Sequence, residues 1–371
     1  MEIYIVTLFI IVFFGLLDLN IKLSDHQRNN LCTILYFIFV IQIGLRWETG
    51  TDWNTYLENF NSTTDSSIVL INALTGIEIG YGFFVLLIKK IFNNYSFFLL
   101  IHAVVFYWLI FLVIKKYSTN YFITILFFYS TTLGLIGANR QLLALAICLL
   151  SLNFIFKKRL VPFFLTVLGA ALFHTSAIIF SSYYFLNRNF KKIHIFIILF
   201  ICIIIGKTNI PFIAFSNLGG IFGELATSKT MAYTEGSQNQ IDESNLSIFG
   251  LFKRLFFIAL FTYNFSFLSK KLFYYNLFYN GYVFGIAIYF LFSSSLLILV
   301  NRGSLYFNIM ECFLISCQFL PFHKSSDKTL IYLVLFLICI ILIFQSISAY
   351  SDLFNPYKSI FYNTDYNRIM Y

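Results

Sequence analysis

Charge is scarce in this chain of 371 residues: Asp, Glu, Lys and Arg make up 11% of it, and the 16 acids are outnumbered by 25 Lys and Arg. So little charge excludes the arguments that apply to water-soluble domains. Blocks of like charge are also missing. The basic residues fall in short groups between apolar runs (Lys115-Lys116, Lys157-Lys158-Arg159, Lys191-Lys192, Lys270-Lys271), as on cytoplasmic membrane flanks, which argues against nucleic acid as a partner despite the net charge of +9. Six cysteines (Cys32, Cys148, Cys202, Cys312, Cys317, Cys339) all lie inside apolar runs without metal-like or paired spacing, so no disulfide, metal or cofactor is implied. Residues 3–17 have no basic segment before them and no small-residue cleavage site after them, so they are expected to be a first span rather than a signal peptide. No internal repeat is evident, and with it the inverted-repeat signature of many transporters is absent.

What the chain has is apolar length. Hydrophobic residues make up 59% of it, the mean hydropathy is +0.81, and apolar stretches of bilayer-spanning length recur. These features predict an all-α, polytopic membrane protein with a single transmembrane domain over 1–371. The expected spans lie near 3–20, 31–46, 96–114, 119–137, 139–156, 160–172, 174–187, 193–206, 250–268, 276–300, 303–320 and 329–347, about twelve crossings. The run 160–187 is split because the polar Phe173-His174-Thr175-Ser176 stands at its middle. Residues 47–95 are expected outside, with 78–92 interfacial or re-entrant. This arrangement puts the majority of the Lys and Arg, including Lys22, Lys115, Lys157, Lys191 and Lys270, on the cytoplasmic face and both termini outside. If 78–92 spans and 160–187 crosses once, Lys115, Lys116, Lys157, Lys158 and Arg159 move outside and Arg140 faces away from Arg46 and Arg302.

Two longer external segments follow. Residues 207–249 carry Gly219-Gly220 and a polar tail, and their first half, through Ile221, Phe222, Leu225 and Met231, reads either as an amphipathic surface helix or as a mobile loop. The C-terminal tail 348–371 carries Tyr350, Tyr357, Tyr362, Tyr366 and Tyr371, which suit an interfacial aromatic belt or carbohydrate contact.

Four arginines, Arg46, Arg140, Arg254 and Arg302, sit at or just inside the ends of apolar runs. A guanidinium at such a rim keeps its charge and presents a fork that fits phosphate oxygens, so a lipid-linked phosphate or pyrophosphate is the natural ligand. Glu311, nine positions after Arg302 in the same apolar run, needs an ion-pair partner or a role, and His102 stands alone in its run.

Five motifs then occur in series: Gly44-Leu45-Arg46 through Gly50-Thr51-Asp52 and Tyr56; Glu78-Ile79-Gly80-Tyr81; Asn139-Arg140-Gln141-Leu142-Leu143-Ala144; Leu172-Phe173-His174-Thr175-Ser176-Ala177; and Arg302-Gly303-Ser304-Leu305-Tyr306-Phe307. In this order the chain resembles the EpsG-like, Wzy-type polysaccharide polymerases. The resemblance implies a glycosyltransferase of the bacterial inner membrane with its active site on the outer face. Such an enzyme polymerises undecaprenyl-pyrophosphate-linked oligosaccharides, as for O-antigen or an exopolysaccharide, without metal or cofactor. Its partners would be the lipid-linked donor and acceptor, membrane lipid and a polysaccharide chain-length regulator. An O-antigen ligase and a lipid-linked oligosaccharide flippase are the rival readings.

That reaction needs fixed cations at the departing pyrophosphate and a base at the attacking hydroxyl. Arg140 is the first expectation for the anion, because it follows Asn139 at a helix start where N–H groups face the same way. Arg302 and Arg46 come next, and Arg254, beside Lys253, is also an ordinary basic flank. Asp52 and His174 are the candidate bases. Asp52 reads equally as the N-cap of a helix over 53–60, and His174 as a satisfied polar group at a helix break. Asp52 and Tyr56 are expected on one helical face with Glu48 a turn earlier. Glu48, Tyr56, Gln141 and Glu78 are the expected substrate-positioning residues.

Overall fold

Ser24, Asp65, Asn94 and Asn120 each stand just before a helical run. In the computed structural model, which describes residues 1–21, 23–221, 248–348 and 350–368, each of them caps a helix through its side-chain oxygen. At Ser24 the cap is reciprocal, with Gln27 bonding back to the cap backbone. The first helices are α1 (Glu2–Ile21), α2 (Asp25–Gly44), α3 (Trp53–Ser62), α4 (Ser66–Leu74), α5 (Ile79–Ile91), α6 (Tyr95–Tyr117), α7 (Tyr121–Thr132), α8 (Asn139–Phe156) and α9 (Leu160–Ala171). After a 3₁₀ segment over Thr175–Ser182 come α10 (Tyr183–Leu186), α11 (Lys192–Gly206), α12 (Ile210–Ile221), α13 (Ile248–Tyr263), α14 (Phe265–Lys271) and α15 (Tyr275–Phe292). The chain closes with α16 (Leu297–Gly303), α17 (Leu305–Asn308), α18 (Met310–Cys317), α19 (Ser325–Ser348) and α20 (Ser351–Phe354). Among the described residues there is no strand, only isolated bridges between Arg46 and Ser359 and between Ser359 and Tyr362.

Many of these helices turn large apolar side chains outward. On α19, Leu330, Val334, Leu337, Ile341 and Phe344 are exposed along one stripe while Tyr332, Leu335, Cys339 and Ile343 are buried behind it. Water would penalise such a stripe and lipid would not, so these surfaces belong to a membrane-embedded protein. Among the described residues, four helices, α1, α6, α8 and α19, are long and apolar enough to cross a bilayer, and two bent pairs, Lys192–Gly206 with Ile210–Asn217 and Gly250–Tyr263 with Phe265–Lys271, raise the number to six if each pair is one span. Part of the difference from twelve arises where apolar runs break into shorter helices, and part from α2, which is unbroken over 20 residues but opens with a polar first third. The run 276–300 is interrupted at Ser293-Ser294-Ser295, where the Ser294 hydroxyl bonds the Gly206 carbonyl. The run 303–320 divides into α17 and α18. At 13 residues, α5 rises about 20 Å, short of a hydrocarbon core of about 30 Å.

The chain folds as two compact units, Met1–Ile178 with Ile315–Tyr371, and Ile179–Leu314. In the first, α2 and α8 pack on α6, α9 packs on α8, and α7 lies against α1 and α19. The segment after α2 forms an aromatic cap in which Trp53, Tyr56 and Phe60, one face of α3, meet Tyr81, Val85 and Ile88 of α5 and Tyr95, Phe98 and Leu99 of α6. In the second unit α15 packs on α11 and α17, and Tyr183 stacks on Phe307 at 5.1 Å. Glu311 is paired there with Lys253 at 3.1 Å. Of the expected external segment 207–249, residues 210–221 are helical, and 222–247, with Phe222, Leu225 and Met231, lie outside the described residues.

Candidate active site

The loop after α2 is built from unusual backbone. Glu48 (φ 45°), Gly50 (φ 102°) and Asp52 (φ 55°) are all left-handed. Gly50 meets a second left-handed glycine segment around Gly137 (φ 115°), where the Thr51 N–H donates to the Ile136 carbonyl at 3.1 Å. Neither glycine has room for a side chain: a Cβ on Gly50 would lie 2.3 Å from the Ile136 carbonyl oxygen, and one on Gly137 would lie 2.0 Å from that of Thr51. This contact brings the first motif against the start of α8. Arg46 fastens it from beneath. Only 2% exposed, its guanidinium donates to the carbonyls of Ile43 (2.6 Å) and Thr49 (3.2 Å) and to Asn139 Oδ1 (2.9 Å).

One residue further, Arg140 leaves the first turn of α8, whose cap position, Ala138, supplies no side-chain hydrogen bond. Its Nε donates to the Tyr56 hydroxyl at 3.2 Å, and its Nη1 to the Gly76 carbonyl at 2.9 Å and Glu78 Oε2 at 2.7 Å. The other Glu78 oxygen accepts from the Thr175 N–H at 3.1 Å and the Thr175 hydroxyl at 3.3 Å. Burial disfavours the charged Glu78, but Arg140 and the Thr175 N–H outweigh it and hold the carboxyl below its ordinary value of 4.5. Tyr56 stands under the guanidinium, its ring centre 5.7 Å from the Arg140 carbon. Arg140, with Glu78, therefore joins segments 56, 76–78 and 175, while the hydrogen bonds engage Nε and Nη1 and leave the Nη2 edge of the fork. The side chain is 22% exposed.

The other expected residues divide around this cluster. His174, buried beside Thr175, makes a 2.6 Å hydrogen bond between Nδ1 and the Ser176 hydroxyl. Gln141 is buried in the first turn of α8. Asp52 stands at the N-cap position of α3 but makes no side-chain capping bond, and it is exposed. The expected alignment of Glu48, Asp52 and Tyr56 along one helical face is corrected: the helix begins only at Trp53, because Glu48 and Asp52 both have positive φ. Glu48 instead accepts from Trp47 Nε1 at 3.1 Å and Lys358 Nζ at 2.7 Å. Arg254 and Arg302 belong to the second unit. Arg254 donates to the Gly250 carbonyl at 2.9 Å and lies 3.9 Å over the Tyr289 ring, and Arg302 ends α16 on the surface.

Four sequence-distant motifs are thus linked through Arg140 and its partner Glu78, and residues 29–359 match the model of the EpsG family. The chain belongs to the EpsG family. This is a family of Wzy-like polymerases, which makes the chain a polysaccharide polymerase-like membrane protein and implies lipid-linked saccharides as substrates in general. No curated protein and no solved structure matches it.

In this EpsG-family chain several site residues carried no signal in the sequence. Gly137 is a lone glycine before a motif, and Gly76 acts through its carbonyl alone. His102, by contrast, stands out in the sequence as a lone polar residue in its run, and it bonds a neighbouring helix as such a residue should: its Nε2 meets the Asn139 carbonyl at 2.9 Å, bracing the start of α8 from α6. Lys358 and Arg368 tie the C-terminal tail to the first motif: Lys358 through Glu48, and Arg368 through the carbonyls of Glu48, Leu353 and Pro356.

Proposed function

We propose that the protein polymerises a surface polysaccharide at the outer face of the inner membrane, transferring a growing glycan from undecaprenyl pyrophosphate to the non-reducing end of a lipid-linked repeat unit. A hydroxyl of the incoming unit attacks the anomeric carbon of the growing chain. The new glycosidic bond forms as the bond to the pyrophosphate breaks, the hydroxyl proton passes to a protein base, and lipid pyrophosphate departs with the electron pair. The convergence of four motifs on Arg140 and its partner Glu78 carries this reading: a braced, partly exposed guanidinium at a helix start suits a departing pyrophosphate.

In this scheme Glu78 and Tyr56 hold the fork from behind and Arg46 fixes the loop that bears them. Asp52, exposed and free of capping duty, takes the proton, and His174 orders the Thr175–Glu78 side of the site. Gln141 positions substrate at the helix start, and Arg302 and Arg254, on the second unit, are proposed to bind lipid-linked phosphate. The apolar runs of the sequence support about twelve crossings, and a chain-length regulator is the expected protein partner.

The deciding experiment deletes the gene in its host, profiles surface polysaccharide length and extracts the lipid-linked saccharides. Externally accumulated single units, with polymer restored by the wild-type gene and not by Arg140→Ala, support the polymerase. Long lipid-linked polymer would identify a ligase, and single units trapped on the cytoplasmic side a flippase; either would overturn the proposal.

A further inference from the structure

From His102, which touches the candidate site, α6 climbs about 22 Å to Tyr117 at 1.5 Å per residue. At that far end a cavity of about 360 Å³ opens within the first unit among the end of α1 and the starts of α2, α7 and α19. Its size falls in the range of about 300–1,000 Å³ usual for small-molecule sites.

Its wall is built for an anion. The single carboxylate, Asp18, is buried and already matched, accepting from Arg28 Nε at 2.5 Å and Asn120 Nδ2 at 3.0 Å. Arg28 reaches Asp25 with Nη1 at 3.3 Å, which leaves its Nη2 edge uncommitted. Lys328, half-buried in the first turn of α19, has no ion-pair partner among the described residues. The Ser118 hydroxyl is shielded from solvent and has no hydrogen-bond partner, although it belongs to the lining. A buried hydroxyl without a partner costs about 1–3 kcal/mol, which a bound acceptor would recover. Two helices, α7 and α19, begin at the cavity and add the partial positive charge of their N-termini.

We infer that this cavity binds a phosphate ester group, held by Arg28, Lys328 and Ser118, at the end of the bundle opposite the candidate active site. The Lys328 ammonium, unpaired among the described residues, supplies the net charge and the free Nη2 edge of Arg28 supplies further donors, a set that fits the several acceptor oxygens of a phosphate better than a single carboxylate or a neutral polar group. Lys115 and Lys116 flank this end, which the charge rule makes cytoplasmic, so the group comes either from an anionic phospholipid of that leaflet or from a soluble phosphorylated metabolite. The inference is independent of the glycan reaction.

The test is native mass spectrometry of the purified full chain in detergent, titrated separately with phosphatidylglycerol and with glycerol 3-phosphate. The wild type should bind one of the two, and Lys328→Glu should weaken that binding by about tenfold or more, the loss of one charge-assisted contact. Binding of the lipid alone identifies the headgroup as ligand, and binding of glycerol 3-phosphate identifies a soluble source. Should Lys328→Glu fail to fold, Ser118→Ala provides the same reading, with about a fivefold loss. Failure of both probes to bind the wild type, or unchanged binding in the folded variants, overturns the inference.

Discussion

Arg140 and Glu78 lie 2.7 Å apart across 62 residues of sequence, and the second oxygen of Glu78 is held by Thr175, 97 residues further on. The carboxylate is therefore a two-sided clamp. One oxygen turns the guanidinium, and the other fastens that turn to the break before the 3₁₀ segment. With both groups largely buried, at 22% and 8% side-chain exposure, the pair fixes the fork and removing one partner leaves the other poorly compensated.

Glu78→Gln should therefore cost about 2 kcal/mol of stability at neutral pH and reduce polymer formation, read by thermal melting in detergent and by polysaccharide length. The pH dependence separates charge from packing. A carboxyl held below 4.5 in the folded protein binds fewer protons than in the unfolded one, so its stabilisation is complete above that value and is lost as pH falls through the lower folded value. The wild type should lose its melting advantage over Glu78→Gln on acidification below pH 4.5, and a constant gap down to acid pH would refute the clamp.

Arg140→Lys keeps a positive charge but cannot hold Tyr56, Gly76 and Glu78 while offering a free edge. It should lower polymer formation by about tenfold or more at equal membrane abundance, since each lost charge-assisted hydrogen bond is worth about 1.5–3 kcal/mol. Near-normal polymer from this variant would remove recognition through the uncommitted guanidinium edge from the mechanism.

The helices and their ends were legible wherever an apolar run carried its own punctuation. Residues 139–156 match α8 from end to end, and the polar Phe173–Ser176 marks the break between α9 and the 3₁₀ segment. Interruptions without such a mark were not legible, because Ser293-Ser294-Ser295 can equally be carried within an apolar helix; at the break the Ser294 hydroxyl bonds the Gly206 carbonyl, a tertiary contact that the run itself does not announce. Arg140, Glu78 and Tyr56 could be named because the chemistry needs their residue types, but their mutual contacts depend on backbone carbonyls and turn geometry. Arg46 shows the same limit: a rim arginine in sequence, it is enclosed by carbonyls that no composition reveals.

The paired glycines make a prediction with an internal control. Gly50→Ala and Gly137→Ala each combine a left-handed φ with a Cβ inside contact distance of a carbonyl, and each should cost about 2–4 kcal/mol. Gly76 has φ 108° but open space around its Cβ position, so Gly76→Ala should cost about 1 kcal/mol from backbone strain alone. Equal melting temperatures for the three variants would show that the close approach of the two loops is not what holds the site.

Asp52→Asn tests the proposed base. Because Asp52 makes no side-chain capping bond and is exposed, the variant should fold and insert as the wild type does, with its loss confined to polymer formation. Full polymer length at equal abundance would remove Asp52 from the mechanism and direct the search to His174.

The tail offers a test of coupling rather than of a single residue. Lys358 donates to Glu48 at 2.7 Å and to the Tyr366 carbonyl at 2.6 Å, so it links residues 357–368 to the loop carrying Asp52. Lys358→Met should destabilise by about 1–2 kcal/mol, moderated because Glu48 keeps 26% side-chain exposure and can be partly solvated. Glu48→Gln should cost a similar amount, and the double variant less than the sum, by a coupling of about 1 kcal/mol. The readout is limited proteolysis of the tail together with polymer length. If cleavage rises in both single variants while polymer length is unaffected, the tail only stabilises the loop. If the two change together and the double variant recovers neither, the tail holds Glu48 and the left-handed loop in the geometry that the first motif requires.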